Sequence, residues 1–253
     1  MQIWISGFAA IAALITAIAT LLTINEMRKQ RKSSLIPELT FPKNHFFIYW
    51  FNPNKGVPLF WSKNEIEKPE KDVHSAPSTK SYFNVKIECF NVGFGVAKEV
   101  EISWDFDIKN FINVLKELDD GNKFKFALSE DAYLRIHSSD LDYLSILNRE
   151  NFEPSEIRYL LPAQMVKEPT LLRIPSEYIT LYSIYIYLLI LTETQQKENI
   201  PSLNVSLTFK DLESETYTNK FELTPSIPAI WGWSSKDKWS KAGEVEFEVK
   251  ENT

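Results

Sequence analysis

The stretch FNVGFGVAKEVEISWDF, residues 90–106, decides how the rest of the chain is read. It sets Gly93 and Gly95, two of only seven glycines, between two hydrophobic runs. Before them Phe83, Val85, Ile87 and Cys89 alternate with Asn84, Lys86 and Glu88. After them Val100, Ile102, Trp104 and Phe106 alternate with Glu99, Glu101, Ser103 and Asp105. Period-two alternation is the mark of a strand with one buried face. A dinucleotide-binding loop needs a third glycine and a following helix, and a P-loop needs a Gly-Lys-Ser/Thr end. Neither is present. The expectation is a structural turn or bulge between strands, with Gly93 and Gly95 serving backbone conformations that other residues resist.

Similar patterns recur outward from this point. Residues 45–51 read as a buried strand, and 62–80, charged and carrying Pro69 and Pro77, as an exposed loop. Residues 109–118 space Phe111, Ile112, Val114, Leu115 and Leu118 as one face of a helix. A second helix is expected over 138–148, giving a helical insert near 108–150. Residues 119–122, Asp-Asp-Gly-Asn, suit a turn. IRYLLPAQM and TLLRIP read as short strands around turns. Ser176 is placed to cap a helix, although the apolar run 178–191 fits a buried helix or a buried strand equally, and is too short to span a bilayer. Residues 203–209 and 217–223 form a hairpin about KDLESET. Trp231, Trp233 and Trp239 can cover the core, meet a partner or touch a membrane interface. Period-two strands separated by turns pack best as two facing sheets. The fold class expected is mainly β: an immunoglobulin-like β-sandwich with helical insertions, preceded by one N-terminal transmembrane helix.

That helix is residues 3–24, IWISGFAAIAALITAIATLLTI, without a charged residue. As a helix it spans roughly 30 Å, the thickness of a bilayer's hydrocarbon core. Its polar groups are Ser6, Thr16, Thr20 and Thr23, whose hydroxyls can bond back to their own helix. A cleaved signal peptide would have a basic start and a shorter apolar core, and a soluble core helix would have a polar face. An anchor fits better than either. The basic residues Arg28, Lys29, Arg31 and Lys32 follow the span, which puts the N-terminus outside and the C-terminal part in the cytoplasm. They can also meet anionic headgroups at the membrane surface. Ala9, Ala13 and Ala17 recur at four-residue spacing, a stripe suited to helix self-association and hence to a homo-oligomer. Domain organisation is therefore 1–32, span and basic segment, and 33–253, β domain.

The net charge is −6, with +3 in residues 1–32 and thus −9 beyond them. An acidic domain repels phosphate backbones, so no nucleic-acid partner is expected. With one cysteine no intrachain disulfide can form. His45, His74, His137 and Cys89 have no zinc-site spacing, and no cofactor or metal is expected. Cys89 falls on the buried side of its strand. Asp105 and Asp107 lie two apart and are the best acidic pair for a divalent cation.

The apolar anchor, the EMRKQRK run, FNVGFGVAKEVEISW, "YLLP … RIPSEY" and LTFKDLESETYTNKFEL together resemble uncharacterised bacterial single-pass membrane proteins with a C-terminal immunoglobulin-like β-sandwich. The resemblance covers most of the chain, rests on structural motifs and brings no catalytic residue. It implies a bacterial inner-membrane location. The function expected is a non-enzymatic, membrane-anchored interaction or sensing module with a protein partner. Two alternatives stay open: an oligomerising membrane effector of a toxin or phage-defence cassette, and an enzyme or ligand binder using loops near Asp105 and Asp107.

Overall fold

The computed structural model describes residues 2–50, 57–65, 85–129, 133–138, 142–146, 156–193, 200–231 and 240–252, with no side-chain placement for 2–12, 33–34, 142–146 and 240. The expectations for most of the 62–80 loop, His74, Phe83, Trp233, Trp239 and the side chain of Ala9 lie outside the described residues.

Strand residues outnumber helical ones, 45% against 27%, so the mainly-β reading holds. The chain opens with a long helix, α1 (Gln2–Ser34), and enters the sheets through β1 (Leu39–Thr40), β2 (Asn44–Trp50) and β3 (Phe60–Ser62). The glycine loop joins β4 (Lys86–Asn91) to β5 (Ala97–Asp105). Helix α2 (Ile108–Leu118) follows, then β6 (Lys125–Leu128), β7 (Tyr133–His137), β8 (Asp142–Ile146), β9 (Ile157–Leu160) and β10 (Thr170–Arg173). The last elements are α3 (Ser176–Thr192), β11 (Leu203–Lys210), β12 (Thr216–Ile230) and β13 (Ser240–Asn252).

Three antiparallel sheets result, in orders β1-β4-β10, β3-β2-β13-β12-β11-β5-β9 and β6-β7-β8. The β11–β12 hairpin has the expected register, from Leu203 opposite Leu223 to Lys210 opposite Thr216. The glycine loop does connect two strands, but they belong to different sheets.

Helix α3 sits at the centre. It has no polar face, and Tyr178 through Ile186, Leu188 and Leu189 are all buried. A helix that is apolar on every side must be covered on every side. Trp61 of β3 packs on Tyr182 at 5.9 Å, Phe247 of β13 on Tyr178 at 6.4 Å, and Phe106 after β5 on Tyr178 at 5.0 Å. Phe111 of α2 closes another side, 5.6 Å from Tyr178. The seven-stranded sheet therefore curls. Its ladders shift register between Thr208 and Lys210, Ser226 and Ala229, and Lys241 and Gly243. Such bulges bend a strand and raise its twist. At the first of them Glu99 on β5 takes φ 50°.

Two expectations need correction. The helix over 138–148 does not form; residues 142–146 are β8, paired residue for residue with β7. Among the described residues of the 108–150 insert only α2 is helical, because a short apolar run takes the form its neighbour offers, and β7 offers an open edge. Ser176 does not cap α3. It is the first helical residue, and Pro175 holds the cap position without a side-chain bond. Pro at the start costs little, since the amide it lacks would have no acceptor within the helix.

Two buried tyrosines of α3 differ in one respect. Tyr178 donates its hydroxyl to the Pro201 carbonyl at 3.0 Å, while the Tyr182 hydroxyl has no partner among the described residues. A buried hydroxyl without a partner costs about 1–3 kcal/mol. Tyr182→Phe should therefore raise stability by about 1 kcal/mol in chemical denaturation, and Tyr178→Phe should lower it by a similar amount. Equal losses in both would contradict the assignment.

Candidate functional site

The most constrained polar site lies where α1 enters the β domain. After Ser34 the chain passes Leu35 and Ile36 to a buried Pro37 and runs across the 92–96 loop. A Cβ added to Gly93 would lie 2.5 Å from both the Glu38 nitrogen and the Ile36 oxygen. One added to Gly95 would lie 1.7 Å from the Leu35 oxygen. Neither glycine has a left-handed backbone, and the positive φ in this stretch belongs to Glu99. The expectation that Gly93 and Gly95 serve backbone conformations that other residues resist is not what the structure shows. Both glycines admit the backbone leaving α1 rather than an unusual conformation of their own.

Asn91 organises this crossing. It is buried, and its side chain makes four hydrogen bonds. Its Oδ1 accepts from the Glu38 and Gly93 amides, each at 3.1 Å. Its Nδ2 donates to the Gly95 carbonyl at 2.6 Å and the Leu160 carbonyl at 3.0 Å. The Val92 amide donates to the Glu38 carbonyl at 2.8 Å, and the Ala163 amide to the Asn91 carbonyl at 2.7 Å. One amide side chain thereby joins the exit of α1, the glycine loop and the turn after β9. Sequence reasoning passed over Asn91; its signal was an Asn two residues before a GxG pair.

A second tie holds the last turn of α1. Lys32 Nζ lies 2.5 Å from Glu215 Oε1 and 3.1 Å from Glu213 Oε2. Both acids sit on the β11–β12 turn, which Asp211 fixes by accepting the Glu215 amide and the Tyr217 hydroxyl. The hydrogen bond from Lys32 holds the Glu215 carboxyl below its usual range. A depressed carboxyl contributes above its unfolded value and loses that contribution as pH falls through the folded one, so this tie weakens in acid. Lys32 is therefore engaged by the hairpin, whereas Arg28, Lys29 and Arg31 are exposed.

The described side chains of α1 from Ala13 to Arg31 are exposed. Ala13 and Ala17 are among them. Among the described residues no helix is long and apolar enough to cross a membrane. In α1 those side chains begin at Ala13, so only part of the apolar run 3–24 is included.

Asp107 caps α2 by accepting the Asn110 amide at 2.9 Å, and Asp105 ends β5 opposite Asn204, at the far end of that strand from the glycine loop. Asp119 accepts the Lys123 and Phe124 amides and forms the expected turn. Among the described residues no group of three His, Cys, Asp or Glu side chains could hold a metal. His45 faces Glu244 at 3.3 Å, and His137 lies on β7. Burial pushes the Cys89 thiol up to about 12, which makes it a core residue rather than a nucleophile. Comparison with protein-family models, with curated proteins and with solved structures finds no match.

Asn91→Leu should lower stability by about 3 kcal/mol, since it orphans several buried backbone groups. Gly95→Ala should unseat the linker, seen as faster amide exchange at Glu38 and faster proteolysis of residues 33–38. Phe94→Ala, at an exposed side chain between the glycines, should change neither. Unaltered exchange at Glu38 in Gly95→Ala would show that the linker does not depend on this seat.

Proposed function

We propose that the chain is a membrane-anchored, non-enzymatic interaction or sensing module. Its β domain is held at the cytoplasmic face of a bacterial inner membrane, with the N-terminus outside. The observation that carries this is the bare apolar length of α1. Leu14, Ile15, Leu21 and Leu22 are 62–66% exposed, and Ile18 is 50% exposed. Leaving five such side chains in water costs roughly 10 kcal/mol, comparable with the stability of a whole domain. The threonines on the other side are already satisfied within the helix. Thr20 donates to the Thr16 carbonyl and Thr23 to the Ala19 carbonyl, both at 2.8 Å. A helix so arranged suits an apolar solvent, and the basic run behind it supports the inward orientation. On this reading the β1-β4-β10 and seven-stranded sheets are layers of an immunoglobulin-like sandwich opened to admit α3. Asn91 and Lys32 join the domain to the anchor at two points, which suits a module whose orientation carries information to a protein partner.

A second reading is an oligomerising membrane effector. Ala13, Thr16, Ala17 and Thr20 share one uncovered face of α1, where a second helix could approach closely. The two readings part on overexpression. Ala13→Leu with Ala17→Leu should abolish toxicity for an effector and leave partner capture intact for a module. Location is tested by fusing a cytoplasm-active and an export-active reporter to the C-terminus in turn. Activity of the first supports the proposal, and activity of the second overturns the orientation.

A further inference from the structure

A groove of about 610 Å³ opens between the last turns of α1 and the β11–β12 turn. Asn25, Arg28, Lys29, Arg31 and Lys32 line it from the helix and Glu213 from the turn. Asn25, Arg28, Lys29 and Lys32 stand at i, i+3, i+4 and i+7, so they form one stripe. Lys32, at the end of that stripe, is bound to Glu213 and Glu215, which turns the whole stripe toward the hairpin. Arg28 and Lys29, one turn nearer the apolar run, make no ion pair among the described residues. The groove is thus a cationic slot on a chain whose remainder carries −9.

Its height along the helix is informative. Arg28 and Lys29 lie four and five residues beyond Ile24, about 6–8 Å along the axis. The headgroup layer outside the hydrocarbon core is about 5–8 Å thick on each side. With residues 3–24 in the core, the two cations stand level with lipid phosphates.

We propose that this groove is a headgroup site for an anionic phospholipid. The inference rests on the membrane-span reading and adds a built site to it. The phosphate diester sits between the Arg28 guanidinium, which can bind two of its oxygens, and the Lys29 ammonium; Arg31 flanks it and the Asn25 amide donates from the membrane side. The hairpin forms the opposite wall. A seated lipid therefore touches both anchor and domain, and lipid composition can bias how the domain stands on the membrane.

The test uses the full chain in phosphatidylcholine nanodiscs with and without phosphatidylglycerol, counting lipids retained after transfer to mixed micelles. Phosphatidylglycerol should be retained over phosphatidylcholine. Arg28→Gln with Lys29→Gln should weaken that retention roughly thirty-fold, about a fivefold factor per cation, while carbonate-resistant flotation stays unchanged. Lys109→Gln with Lys116→Gln removes the same charge from α2 and should leave retention as it was. Equal loss in both pairs, or no preference for phosphatidylglycerol in the parent chain, would overturn the site. Displacement of the lipid by free glycerol phosphate would assign the groove to a soluble phosphate ester instead. Failure of the parent chain to float would bring down the span reading, and this inference with it.

Discussion

The fold depends on one constraint: α3 has no side that water can face. Tyr178, Tyr182 and Tyr185, and the isoleucines and leucines around them, are fully buried or nearly so. A flat sheet covers one side of a helix only. The seven-stranded sheet covers more because three of its ladders carry register shifts that let it curl. α2 supplies what the sheet leaves open, through Phe111. The few polar groups inside are placed accordingly. The Trp61 indole nitrogen donates to the Ser183 hydroxyl at 2.9 Å, and Thr180 donates back to the Ser176 carbonyl.

α1 is the same kind of helix with the opposite treatment. It too is apolar with self-satisfied threonines, yet its described length carries no cover from the domain. Among the described residues the domain bonds to its last turn and the linker beyond. Lys32 meets the hairpin, and Glu38 is bound through both its amide and its carbonyl to the Asn91–Val92 corner. A flexible tether would need none of these contacts. These bonds tie the end of the helix to the domain at two separate points.

How much of this was legible in the sequence varies with the range of the interaction. β5 and the β11–β12 hairpin follow from alternation, because one buried face imposes period two locally. α2 follows from the spacing of Phe111, Ile112, Val114, Leu115 and Leu118, all buried as expected. The failures come where distant parts of the chain decide. Residues 142–146 were drawn into a strand by β7. Residues 178–191 fitted helix and strand alike until the surrounding sheet settled the question. The glycines were recognised as structural, but what they make room for lies more than fifty residues earlier, at Leu35–Glu38, and no local pattern announces it. Asn91 is missed for the same reason, as are Glu213 and Glu215, whose partner Lys32 is more than 180 residues away. Asp107 also caps α2, a role that its spacing from Asp105 does not announce.

The measurement that tests the central claim most directly places a fluorescent probe at residue 15, as Ile15→Cys, in the full chain reconstituted with lipids carrying quenchers at the bilayer midplane. Cys89 is buried and does not compete for the label. A probe at Asp105→Cys, the last residue of β5, serves as reference. Strong quenching at residue 15 and none at 105 is the predicted result. Equal and weak quenching at both would mean that α1 lies outside the bilayer, and its bare apolar surface would then need a protein partner to cover it.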